Sequence, residues 1–149
     1  MTNGAARIMV IEDNPGDFLL IEKAFERAKI SNELEHCDDG EGALARLREG
    51  AQTQRLPDLV LLDLSLPGMD GKDVLTSIRA DALLRRLPVV VMSSSQQERD
   101  IVASYELGAS SFVTKPPTLG ALQELVRALH EYWFVLVRLP RAMEGGARG

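Results

Sequence analysis

The chain has 149 residues, 45% of them hydrophobic and 26% charged, and its formal net charge is −5. This length suits one domain with a real core, and the acidic balance argues against a nucleic-acid surface, which is usually basic. No stretch of the sequence is long and apolar enough to span a bilayer, and no leader pattern is present. We therefore expect a cytoplasmic protein that binds neither nucleic acid nor membrane.

Apolar runs alternate with helical patterns in the first half of the chain. In order, they predict a strand at 7–11, a helix through 18–28, a weaker strand at 33–37 and a helix that opens at 39–40. We expect Gly50 to end that helix and residues 51–57 to form a polar connector. The only cysteine, Cys37, is expected to be a small apolar side chain. His36 and His130 have no metal-ligand spacing, and we treat both as ordinary polar residues.

The second half opens with LVLL at 59–62, a continuous apolar run that predicts a strand buried on both faces. There follow a helix through 71–79, a strand at 89–92, a helix at 97–107 that Gly108 ends, and a short strand at 111–114. Thr118 can cap the last helix, whose apolar stripe runs through positions 119, 122, 126, 129 and 133. Strands and helices that alternate in this way predict an α/β sheet covered by helices on both faces.

Four of the predicted strands lead into side chains that can carry chemistry. They are Glu12 and Asp13 after the first strand, Asp63 after the third, Ser93 after the fourth and Lys115 after the fifth. The carboxyl ends of parallel strands share one edge of a sheet, so we expect these residues to face one crevice. Three carboxylates in one crevice repel each other unless a cation neutralises them. Mg²⁺ suits this role because it prefers oxygen ligands and leaves room for a phosphoryl group.

This set of residues favours phosphoryl transfer, which needs positioning and charge neutralisation more than acid–base chemistry. Mg²⁺ can hold one phosphoryl oxygen, Lys115 a second, and the Ser93 hydroxyl with backbone N–H groups after Asp63 the third. Asp63 is then free to be the nucleophile and to form an aspartyl phosphate. Each residue also has an ordinary interpretation, such as helix capping for the acidic pair and a solvated surface position for Lys115.

Residues 7–129 resemble the receiver domain of two-component response regulators. The separations of Asp63 from Ser93 and from Lys115 are similar to those in that family. The resemblance implies a flavodoxin-like, doubly wound sheet of five parallel strands in the order 2-1-3-4-5 with five helices. It implies that a sensor histidine kinase phosphorylates Asp63 in a Mg²⁺-dependent reaction. It also implies that Asp13, Asp63 and the backbone carbonyl of Ser65 bind Mg²⁺ directly, and that Glu12 acts through a metal-bound water.

The resemblance further implies a conformational switch. In receivers, the hydroxyl at the position of Ser93 turns toward the phosphoryl group, and an aromatic residue at the position of Phe112 moves inward behind it. The bistable element would be the fourth helix, the fifth strand and the fifth helix. A tyrosine is common where this chain has Phe112, which has no hydroxyl, and the alternative for Phe112 is simple packing under the fourth helix.

Finer features resemble the single-domain regulators that partner bacterial phytochrome kinases. They are Asn14-Pro15-Gly16-Asp17, the serine run at 93–95, Pro116-Pro117 and the aromatic tail. This resemblance implies that a bilin-carrying histidine kinase supplies the input, and it is consistent with a homodimer.

The segment YWFVLV at 132–137 is apolar on every side, more than one core-facing stripe requires. We divide the chain into a receiver domain at 1–131, an apolar arm at 132–140 and a tail that we expect to be disordered. Our preferred interpretation is a homodimer in which the arm packs on the partner subunit, with the face formed by the fourth helix, fifth strand and fifth helix as a further dimer surface. The arm residues are Tyr132, Trp133, Phe134 and Leu136. The alternative is a helix end folded back on its own sheet.

Three rival functions stay open. A metal-dependent phosphatase of the haloacid-dehalogenase type also forms an aspartyl phosphate, but it carries a second Asp where this chain has Ser65. A flavodoxin-like nucleotide or flavin binder needs a phosphate loop where Glu12 and Asp13 stand. The third is a receiver-like module that is never phosphorylated. On the preferred interpretation the chain is a phosphoacceptor signalling protein and not an enzyme with an external substrate.

Overall fold

The structure, a computed structural model, describes residues 6–30, 32–94 and 97–136, and side chains as far as Trp133. Five strands alternate with five α-helices, and a short π-helical segment continues the last helix. In chain order the elements are β1 Ala6–Ile11, α1 Pro15–Arg27, β2 Asn32–Cys37, α2 Gly40–Thr53, β3 Leu59–Leu62, α3 Gly71–Ala80, β4 Val89–Ser93, α4 Glu98–Glu106, β5 Ser111–Thr114, α5 Leu119–His130 and the π-helical segment Glu131–Leu136.

The five strands form one parallel sheet in the order β2-β1-β3-β4-β5. This is the flavodoxin-like doubly wound arrangement, so the predicted fold class is confirmed. The β3 strand lies in the middle, and all four of its residues are buried, as its continuous apolar run predicts. The carboxyl ends of β1, β3, β4 and β5 therefore meet along one edge of the sheet.

Side chains that alternate along the strands build a hydrophobic core on each face of the sheet. One core joins alternate strand residues such as Ile11 and Leu62 to the buried sides of α2 and α3. The other joins Val10 and Leu61 to α1 and α5. Because the central strands are fixed on both faces, the residues just beyond their ends have defined positions.

The end of α2 differs from the prediction. Gly50 does not end this helix, which continues to Thr53 and closes at Gln54 with a left-handed φ of 58°. A Cβ atom at Gly50 would lie 2.9 Å from the carbonyl oxygen of Arg55, and the Arg55 N–H donates to the Gly50 carbonyl. The glycine is therefore suited to a close approach of the returning chain, which is a tertiary contact that helix signals do not show.

Gly108 follows α4 with a φ of +100°, as expected of a residue that stops a helix. The guanidinium of Arg79 lies against it and donates to the carbonyl oxygens of Gly108, Arg85 and Leu87. Burial lowers the pKa of Arg79. One side chain thus joins the end of α3, the connector to β4 and the chain that follows α4.

The predicted stripe of α5 faces the core. Leu122, Val126 and Leu129 are buried, and Trp133 packs against the same cluster. Tyr132, its neighbour, is 52% exposed and meets the Trp133 ring edge to face. The side chains of Phe134 and Leu136 and all residues from 137 onward, including most of the predicted arm and tail, lie outside the described residues. In the described part of the chain, no helix has the length and apolarity needed to cross a bilayer.

Candidate functional site

Three carboxylates come together at the carboxyl edge of the sheet. One oxygen from each of Glu12, Asp13 and Asp63 lies within 4.8 Å of the others. The strand register explains this proximity, because Ile11 pairs with Leu62 and the Asp63 N–H donates to the Ile11 carbonyl. Glu12 and Asp63 are buried, at 2% and 7% exposure, whereas Asp13 is open to solvent.

The Lys115 ammonium reaches the same cluster from the end of β5. Its Nζ lies 2.7 Å from Glu12 Oε1, 3.0 Å from Asp17 Oδ2 and 3.2 Å from Asp63 Oδ2. The backbone N–H of Lys115 donates to the Ser93 carbonyl at the end of β4. A side chain from one outer strand therefore crosses β4 and neutralises part of the acidic cluster.

The ionisation of the site reflects burial opposed by pairing. Burial, with a smaller contribution from the charge of Asp63, raises the pKa of Glu12 to about 7, against the lowering effect of the Lys115 hydrogen bond. Burial lowers the pKa of Lys115, but hydrogen bonds to Glu12 and Asp17, together with the negative charges of Asp63 and Glu12, outweigh it and leave this pKa above its ordinary value. One ammonium thus faces several carboxylates, and the excess negative charge favours binding of a cation.

The loop after β3 fixes the Asp63 carboxylate from the other side. The Ser65 N–H donates to Asp63 Oδ1 at 3.1 Å, in an Asx-turn arrangement. The Gly71 N–H donates to the Leu64 carbonyl, which holds the start of α3 against the loop. Asp63 Oδ1 is therefore held by the loop and Oδ2 by Lys115, so the carboxylate has one defined orientation.

Two further predicted residues lie in the strands β4 and β5, which lead to this centre. Ser93 is buried at the end of β4, between the strands that deliver Asp63 and Lys115. Phe112 is partly buried against the core cluster on the α2 and α3 side of the sheet, and its N–H donates to the hydroxyl of Tyr105 on α4. The assigned roles of these residues, including switching by Ser93 and Phe112 and metal binding by the Ser65 carbonyl, stay predictions.

Sequence reasoning missed Asp17 as part of this centre. Asp17 is the third residue of α1, and its N–H donates to the side chain of the N-cap residue Asn14. The first turn of α1 is thereby fixed, and the Asp17 carboxylate contacts Lys115. The position of Asp17 in the sequence could have indicated this contact, because an acidic residue in the first helical turn after the Glu12–Asp13 pair stays near the same edge of the sheet.

Sequence reasoning also missed His36, which it treated as an ordinary polar residue. The His36 Nε2 lies 2.7 Å from the backbone carbonyl oxygen of Glu12, and the ring stacks on Phe18 of α1 with a centroid separation of 4.0 Å. No local motif marks this contact. Only the pairing of β1 with β2 places His36 beside the acidic residues.

The donor set identifies what the site can bind. The oxygens of Glu12, Asp13 and Asp63 are hard ligands, which suit a hard divalent cation such as Mg²⁺ or Mn²⁺. Residues 8–127 match the family described as the response regulator receiver domain. The chain belongs to this family. The fold and the acidic cluster are those expected of a receiver domain.

Comparison with individual proteins places this receiver near phytochrome response regulators. Response regulator Rcp1 of Synechocystis is 36% identical over 137 residues, which cover 91% of this chain and 93% of Rcp1. The structure of the phosphorylated cyanobacterial phytochrome response regulator RcpA has a TM-score of 0.84 and 38% identity, covering 92% of this chain and 99% of RcpA. The structure of the Mn²⁺-bound form of Rcp1 has a TM-score of 0.79 and 36% identity, covering 91% of this chain and 99% of the Rcp1 chain.

Proposed function

We propose that this receiver domain accepts a phosphoryl group on Asp63 from the phosphohistidine of a sensor histidine kinase. The observation that carries the proposal is the meeting of Asp63 with Lys115 and with two further carboxylates that can hold a divalent cation. A buried nucleophile, a fixed ammonium and a metal site are the parts that phosphoryl transfer needs. Membership of the receiver family supports the same conclusion.

In the proposed reaction, an Asp63 oxygen attacks the phosphorus atom of the phosphohistidine. The new P–O bond forms as the P–N bond breaks, and the electron pair of that bond returns to the imidazole of the kinase. Lys115 neutralises one phosphoryl oxygen, and the Ser93 hydroxyl donates to another. Because Asp63 is already oriented by Ser65 and Lys115, little reorganisation of the nucleophile is needed.

We assign the cation as Mg²⁺, bound directly by Asp13, Asp63 and the Ser65 backbone carbonyl, with Glu12 acting through a bound water. When bound, the ion supplies charge neutralisation for the phosphoryl oxygens. The acidic donor set supports this assignment, and Rcp1 has been solved with Mn²⁺. Mg²⁺ takes few protein carboxylates and keeps several waters, which agrees with an exposed Asp13.

The similarity to RcpA and Rcp1 supports a kinase of the phytochrome type as the partner. We place the protein in the cytoplasm, where it signals by a switch in Ser93, Phe112 and the α4, β5 and α5 region.

It is a phosphoacceptor and not an enzyme with an external substrate. Ser65 stands where a haloacid-type phosphatase has its second Asp, so we expect no multiple-turnover hydrolysis of p-nitrophenyl phosphate.

The phosphoacceptor is tested with acetyl phosphate and Mg²⁺, by intact-protein mass spectrometry. Wild type should gain one phosphoryl group, and Asp63→Asn should gain none. Asp38→Asn removes an exposed carboxylate after β2 and serves as the matched control, which should label like wild type. Labelling of wild type should stop when EDTA removes the metal. Stoichiometric labelling of Asp63→Asn would refute the assignment.

We further propose that the arm mediates a homodimer. Because Trp133 packs on the core of its own domain, the informative truncation removes residues 134–149 and keeps Trp133. Light scattering should then show a monomer where the full chain is a dimer. A truncated protein that keeps the dimeric mass would exclude the arm and leave the α4, β5 and α5 face as the candidate surface.

A further inference from the structure

We propose that His36 is a positioning residue for the metal site, and that it acts by donating its Nε2–H to the backbone carbonyl of Glu12. This inference rests on the proposed function, because it concerns the cation assigned to that site. A backbone carbonyl can only accept a hydrogen bond, so the nitrogen at 2.7 Å must carry the proton. His36 therefore touches no ligand atom itself and works through the backbone.

The contact lies where the β-sheet stops supporting the chain. The β1 strand ends at Ile11, and the Glu12 N–H still donates to the Cys37 carbonyl at 3.0 Å. The next group, the Glu12 carbonyl, is the one that His36 holds. The last two residues of β2 thus bind the two sides of Glu12, one through its backbone and the other through its side chain.

The carbonyl in question belongs to the peptide that joins Glu12 to Asp13. A peptide group is planar, so a bond to its oxygen restricts rotation of the whole unit. That unit carries the start of Asp13, the exposed carboxylate of the cluster. Holding the Glu12 carbonyl therefore sets the direction in which Asp13 leaves the strand, and with it the geometry offered to a cation.

The His36 ring is itself fixed. It lies parallel to the Phe18 ring, with an interplanar angle of 4° and a centroid separation of 4.0 Å. This stack ties the donor to α1, whose N-cap residue Asn14 directly follows the acidic pair. Outer-shell hydrogen bonds that orient metal ligands are worth about 10- to 100-fold in metal affinity, whereas packing alone would affect stability and leave affinity unchanged.

The two roles separate in a matched pair of substitutions. His36→Phe keeps an aromatic ring for the Phe18 stack and removes the donor. His36→Gln keeps a donor of similar reach and removes the stack. His130→Phe is the same change at the other histidine and serves as the control. Binding is measured with Mn²⁺ alone, from the electron paramagnetic resonance signal of the free ion at constant ionic strength, with thermal unfolding recorded for each variant.

We expect His36→Phe to raise the Kd for Mn²⁺ about 10-fold, His36→Gln to recover part of that loss, and His130→Phe to match wild type. A His36→Phe protein that folds and binds within twofold of wild type would overturn the inference. If that variant does not fold, ¹⁵N NMR of the wild-type imidazole decides, since a neutral ring protonated on Nδ1 and not on Nε2 also overturns it. Wild type that fails to bind Mn²⁺ would refute the proposed metal site itself, a separate result.

Discussion

The glycine that begins α3 offers a sharp test of how the loop holds Asp63. Gly71 is buried, and its N–H donates to the Leu64 carbonyl at 3.0 Å. A Cβ atom at this position would lie 2.6 Å from Leu64 Cα and 3.1 Å from the carbonyl carbon of Asp63, and closer still to the carbonyl oxygen of Asp63. All three atoms are backbone, so Gly71→Ala cannot be accommodated by rotating a side chain.

The size of the effect follows from these distances. Ordinary contact for a Cβ begins at 3.4 Å, so the backbone beside Asp63 or the start of α3 must move by about 0.8 Å to clear Leu64 Cα and by slightly more to clear the Asp63 carbonyl oxygen. Overpacking of this kind costs about 1–3 kcal/mol, and the better helix propensity of alanine returns at most about 1 kcal/mol. We expect a net loss of about 1–2 kcal/mol in unfolding free energy. A displacement near 1 Å can also slow a positioned reaction by about 100-fold.

Urea unfolding and the rate of labelling by acetyl phosphate measure the two effects. The control is Gly120→Ala in α5, where an added Cβ meets nothing within 4 Å. That substitution should stabilise the protein by about 0.5–1 kcal/mol and leave labelling unchanged. If Gly71→Ala is as stable as Gly120→Ala and labels at the wild-type rate, the loop does not position Asp63 in the way described.

Arg79→Ala leaves three backbone carbonyls without their donor and should lower the unfolding free energy, measured in urea, by about 2–3 kcal/mol. Arg86→Ala, at an exposed arginine, is the control. Equal losses of stability in the two variants would contradict the structural role of Arg79. Burial raises the pKa of Cys37 to about 11 from 9.0. Iodoacetamide should therefore label it slowly at pH 8 until urea unfolds the chain, and the stability that this thiol contributes should be complete below pH 9 and decline as the pH rises toward 11. Fast labelling of the native protein would contradict the buried, protonated state of the Cys37 thiol. Lys115→Met removes the ammonium that three carboxylates share. In thermal scans, Mg²⁺ should therefore raise the unfolding midpoint of this variant more than that of wild type. An equal shift in the two proteins would count against the acidic cluster as the metal site.

The sequence by itself was enough to predict the order of strands and helices. Apolar periodicity and turn residues are local patterns that extend over a few neighbouring positions. The run LVLL at 59–62 therefore indicates a buried strand without reference to the rest of the chain. The resemblance to receiver domains then predicted the order of the five strands, which the sheet confirms. From the sheet edge alone, Glu12, Asp13, Asp63 and Lys115 were also expected to meet, because parallel strands bring their carboxyl ends together.

Only the tertiary structure decided the contacts that refine this site. Asp17 and Lys115 are 98 positions apart in the chain, and His36 and Glu12 are 24 apart. No local pattern records such a contact, because it depends on how α1 packs beside the sheet and on the register of β2 against β1. Gly50 shows the same limit, since a glycine that would end a helix in isolation remains inside α2 where the returning chain passes close to it. Local chemistry specified which residues could act here, and packing specified which of them touch.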